Sequence, residues 1–84
     1  MKMDDKKKQR QYAAQLARQV YTGKIHFRQM IDNFTYETTD SEIKKLFDLV
    51  EHTPKQGGLF GVSKEKYLNY VTSVYELIEK LEKT

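Results

Sequence analysis

Eighty-four residues suffice for one compact domain, and 38% apolar residues beside 32% charged ones, with four Phe and six Tyr, fit a small globule rather than a disordered tail. The absence of cysteine excludes disulfides, thiolate zinc sites and cysteine nucleophiles. No apolar run approaches the ~18 residues of a membrane span, and the polar start MKMDDKKKQRQ lacks the apolar stretch of a signal peptide, so a cytoplasmic protein is expected.

Hydrophobic periodicity predicts an all-α bundle of four helices over residues 4–21, 26–34, 41–52 and 63–82, forming a single domain over residues 1–84. In the first segment, Tyr12, Ala13, Leu16, Ala17, Val20 and Tyr21 recur at steps of three and four and so share a face. Asp4 and Asp5 suit the positive end of the helix dipole, and Gly23 suits a left-handed stop. Residues 1–10 carry no apolar face, which predicts fraying there.

The second segment is short. Phe27, Met30, Ile31 and Phe34 form a stripe over two turns, which only packing against the rest can hold helical. A third helix is announced by Thr39-Asp40-Ser41-Glu42, a T-x-x-E capping box in which Asp40 is an equally acceptable cap. Ile43, Leu46, Phe47, Leu49 and Val50 give it a wide apolar face, and Pro54 ends it. A glycine-rich loop with Gly57, Gly58 and Gly61 precedes Ser63, a natural N-cap for the last helix. There Tyr67, Val71, Val74, Ile78 and Leu81 step by four and three, and Leu68, Tyr70, Tyr75 and Leu77 widen the stripe. That width predicts the last helix to be the most enclosed.

The net charge of +3 is unevenly laid out. Residues 1–28 carry eight cations against Asp4 and Asp5, for +6; residues 29–54 carry Lys44 and Lys45 against six acids, for −4. These two segments can attract each other within one bundle or attract a second copy.

Three features are candidates for function. The basic set Lys6, Lys7, Lys8, Arg10, Arg18 and Lys24 could neutralise phosphates and release counterions, giving salt-sensitive nucleic-acid binding. The plainer account of such a run is a solvated first turn. Leu59 and Phe60, in the loop, and Tyr70 and Tyr75, on the last helix, could form a partner surface if they point outward; tucked inward they are core and core rim. His52, with Asp48 and Glu51, could supply half of a metal site, yet no H-E-x-x-H or paired-His spacing is present and a histidine near a helix C-terminus is favoured by the dipole alone. The glycine loop does not match a phosphate-binding P-loop.

In length, lysine content and helical character the chain is similar to small bacterial immunity proteins, which implies a four-helix bundle; the nuclease-binding members of that class are typically acidic, whereas this chain is basic. The function expected from the residues is a non-catalytic protein–protein interaction module, self-association included, without cofactor, metal or small-molecule substrate. A nucleic-acid-binding accessory protein using the basic first helix is the alternative.

Overall fold

The computed structural model describes residues 2–34, 38–54 and 61–83, with backbone only for residues 2–5. They form an all-α four-helix bundle: α1 (Lys2–Tyr21), α2 (Phe27–Asn33), α3 (Ser41–Glu51) and α4 (Lys64–Glu82). Most of the glycine-rich loop, including Gly57 and Gly58, lies outside the described residues.

Each helix boundary has a local chemical cause. α1 stops where Gly23 adopts φ +79°. The Lys24 amide then donates to the Gln19 carbonyl at 2.9 Å and the Gly23 amide to the Val20 carbonyl at 3.1 Å, a pattern that satisfies the orphan carbonyls of the last turn. At α2 the Gln29 side chain reaches back to accept from the His26 amide at 2.8 Å. At α3 the cap is Asp40, whose carboxylate accepts from the Glu42 amide at 3.0 Å. The capping box centred on Thr39 does not form, because the Glu42 side chain turns to two cations instead. Ser63 caps α4 through the Lys66 amide, as its position predicts.

α1 and α3 run parallel: Arg10 meets Asp40 at one end, and the Tyr21 and Thr53 hydroxyls meet at 2.6 Å at the other. α4 returns antiparallel to both, with Lys80 bridging to Glu42 and Tyr70 bonding to the Leu49 carbonyl. α2 folds back along α1, so that the Tyr12 hydroxyl donates to the Asn33 carbonyl at 3.3 Å. The core between them holds Met30, Phe34, Ile43, Leu46, Val50, Val74, Ile78 and Leu81 around a patch of Ala13, Ala14 and Ala17 on α1.

The packed part of α1, rather than α4, is the centre of the bundle. It packs on all three others, whereas Leu68 near the start of α4 is 49% exposed. Alanine makes the difference: small side chains on α1 let two neighbouring backbones approach closely, so the helix with less apolar bulk sits deepest. The first turns of α1 run past the ends of its partners. Arg10 pairs at the residue just ahead of α3 and Gln11 bonds to the Glu82 carbonyl in the last turn of α4, so residues 2–9 reach ~12 Å further at 1.5 Å per residue. The bundle measures 49 × 22 × 20 Å. Among the described residues no helix is long and apolar enough to cross a membrane.

A Cβ at Gly23 would meet no atom within 4 Å, so substitution there tests backbone conformation alone. Gly23→Ala is expected to cost about 1–2 kcal/mol through the left-handed φ, lowering Tm by roughly 4–8 °C per kcal/mol with helicity unchanged at 20 °C by circular dichroism.

Candidate functional site

The six basic candidates divide into three groups. Lys6, Lys7 and Lys8 are exposed on the projecting turns of α1. Lys24 is also exposed, but beyond the opposite end of the helix, roughly 25 Å away at helical rise. Arg10 and Arg18 are both paired to acids of the bundle, Arg10 nearly enclosed and Arg18 still well exposed. The Arg10 guanidinium bonds Asp40 through Nε at 2.6 Å and Glu42 through Nη2 at 3.3 Å, with its side chain only 13% exposed. Arg18 forks onto Glu82 at 2.6 and 2.8 Å and lies 5.5 Å over the ring of Tyr75. The six cations therefore make no single face.

These pairs set the acids they touch. Burial would raise the Asp40 carboxyl, but Arg10 and the amides of Glu42 and Ile43 outweigh it and hold Asp40 below the usual carboxylate range. Glu42 is lowered mainly by Lys80, and Glu82 mainly by Arg18. Carboxylates held in this direction stay ionised at neutral pH and are poorly matched to proton transfer there. Among the described residues no polar or charged side chain is fully buried.

Tyr70 and Tyr75 are half-buried and used internally. The Tyr70 hydroxyl donates to the Leu49 carbonyl, and the Tyr75 ring packs at 5.6 Å against that of Tyr21. Leu59 and Phe60 lie outside the described residues.

At the end of α3, Asp48, Glu51 and His52 bring ligand-type atoms within 4.8 Å of one another, all of them exposed. His52 Nδ1 lies 2.8 Å from the Asp48 carbonyl oxygen and 3.3 Å from its carboxylate. The hydrogen bond to that carbonyl, aided by the Asp48 charge, raises the imidazole above its ordinary pKa. This contact accounts for the histidine as a C-cap.

A different feature emerges between α2 and α3: an open groove of about 560 Å³ with Phe27, Ile31 and Phe47 at its floor. Arg28 and Asp32 from α2, and Lys44, Asp48 and Glu51 from α3, form its rim. Helical geometry opens it. Successive residues point ~100° apart, so Met30 enters the core completely while Ile31, at the far edge of the same stripe, stays 40% exposed. On α3, Phe47 sits at the corresponding edge beside fully buried Leu46, and its ring meets Phe34 edge-on at 4.9 Å. In sequence the stripe of α2 reads as wholly core-facing. The available signal was its brevity: seven residues with one long neighbour cannot cover both edges of the stripe.

Comparison of the chain with protein-family models, curated proteins and solved structures gives no match.

The lowered acids fix the direction of the pH dependence. Asp40, Glu42 and Glu82 bind protons more readily unfolded than folded, so their stabilisation is full above the ordinary carboxylate range near 4 and is lost as pH falls through their lowered values. Asp40→Asn is expected to flatten the fall of Tm between about pH 5 and pH 2. Arg10→Ala should cost about 2 kcal/mol at pH 7, and much less at pH 2, in urea titrations followed by circular dichroism.

Proposed function

We propose that this chain is a non-catalytic protein-interaction module that docks protein through the α2–α3 groove. The observation that carries this reading is Ile31. A large aliphatic side chain left 40% exposed, between the half-buried rings of Phe27 and Phe47, loses apolar contact with water only when something covers it. The charged rim supports the same reading, since an apolar centre bordered by polar groups is the usual anatomy of a protein interface. The conformationally restrained floor supports it as well: the three residues sit on helices whose other faces are packed in the core.

Ile31→Asp tests this docking role with little risk to the fold, because the side chain is not a core residue. Photo-crosslinking from a benzophenone side chain at Asp32, in cells and in the purified protein, is expected to capture a discrete protein. Ile31→Asp should abolish that product while the helical spectrum persists. Crosslinking insensitive to Ile31→Asp would overturn the reading.

A second reading rests on the projecting turns of α1. Lys6, Lys7 and Lys8 are exposed at the tip of the molecule, where a nucleic-acid backbone could approach without collision with the bundle. Contacts limited to three lysines predict weak binding, with log K falling against log salt at a slope of about −3 on duplex DNA. Replacing the three lysines with Ala should remove it. Fluorescence anisotropy at 20 mM salt with no change on either single- or double-stranded probes excludes this alternative.

A further inference from the structure

We infer that the occupant of the α2–α3 groove is a second copy of this chain, docked face to face about a two-fold axis. The inference rests on the docking role proposed above and names its partner.

The rim is a checkerboard. α2 runs antiparallel to α1 and α3 parallel to it, so the start of α2 lies toward the end of α3. Arg28 and Glu51 accordingly border one end of the groove, and Asp32 and Lys44 border the other. None of these four makes an ion pair or side-chain hydrogen bond with the described residues, in contrast to Arg10, Arg18, Asp40, Glu42 and Glu82, which are all paired internally. Asp48, between them on α3, pairs with His52.

A face with this arrangement is its own complement. Turning a second copy over about an axis across the helices sets Lys44 against the other copy's Glu51 and Arg28 against its Asp32. An axis along the helices sets Arg28 against Glu51 and Asp32 against Lys44. Either two-fold axis pairs opposite charges at these four positions, and each pairing occurs twice, as isologous contacts must; the axis along the helices also keeps Asp48 of one copy away from Asp48 of the other. A partner of single charge sign would meet like charge on the rim, a nucleic acid at the three acids and a polybasic peptide at the two cations. The apolar floor supplies the cohesion, Ile31 and Phe47 of one copy covering those of the other, and the rim supplies register.

Size sets the strength. The face spans roughly 16 Å of the 11-residue α3 by the ~20 Å width of the bundle, so two copies bury well under the ~1,200 Å² typical of stable complexes. Association is therefore weak and reversible, and it shows only at high protein concentration.

Sedimentation velocity of the intact chain between about 10 µM and 1 mM tests this directly. The wild-type protein is expected to move from the 10.0 kDa monomer toward twice that mass. Lys44→Glu should weaken association roughly tenfold. Exchanging all four signs together (R28D, D32R, K44E and E51K) should restore it, since the exchanged rim is again self-complementary, while the exchanged and wild-type chains should not pair with each other. Helical content by circular dichroism verifies that each variant is folded. A wild-type protein that remains monomeric at 1 mM, or a four-sign exchange that associates no better than Lys44→Glu, overturns the inference. If the chain stays monomeric while crosslinking to another protein is still lost in Ile31→Asp, self-pairing falls and the docking role stands. If both fail, the docking role falls too.

Discussion

The fold depends on a patch of three alanines. Ala13, Ala14 and Ala17 are completely buried on α1, and they are the smallest side chains available for a helix that must accept neighbours on several sides. A chain of this length has few residues with which to exclude water, so it gains most by bringing backbones close and letting the larger side chains of α3 and α4 fill the space alongside. Ile43 and Leu46 from α3, and Val74, Ile78 and Leu81 from α4, do so with none of their surface exposed. α2 is an accessory to this arrangement. With seven residues it reaches the core through Met30 and, just past its end, Phe34, and its outer edge remains over for other use.

Electrostatics fixes how the rods are aligned. The excess of positive charge in the first third of the chain and of negative charge in the middle is partly consumed where α1 crosses the start of α3. Arg10 joins Asp40 and Glu42 there, and Lys80 of α4 joins Glu42 from the other side. Three helices thus meet at one charged knot that also begins α3, because the carboxylate that holds Arg10 caps the helix. Surface pairs of this type contribute modestly, but Asp40 and Arg10 are largely shielded from water and share several bonds, which favours one alignment over its alternatives.

Sequence periodicity made most of the architecture legible. The four helices, the glycine stop after Tyr21, and the Ser63 cap follow from signals spaced over a few residues, where local chemistry decides the outcome. What it left open depends on distant partners. Asp40 was one of two caps until Arg10 arrived from thirty residues away to occupy Glu42 as well. Arg10 and Arg18 look, in sequence, like members of a basic face, and only the positions of Asp40 and Glu82 remove them from it. Tyr70 and Tyr75 are likewise turned into rim groups by Leu49, Tyr21 and Arg18. The groove was invisible for a related reason: a stripe records which residues are apolar, while the length of the neighbouring helix decides which edge goes uncovered.

The overhanging turns of α1 have a dynamic consequence. Ahead of Arg10, Lys6, Lys7 and Lys8 are all exposed, so the helical form of these turns is an extension of the packed turns behind them. Starting a helix is costly and lengthening one is cheap, so this overhang is inherited from an anchored nucleus and has no second point of initiation. Amide hydrogens ahead of Arg10 are therefore expected to exchange faster than those behind it, where the guanidinium is tied to Asp40 and Glu42.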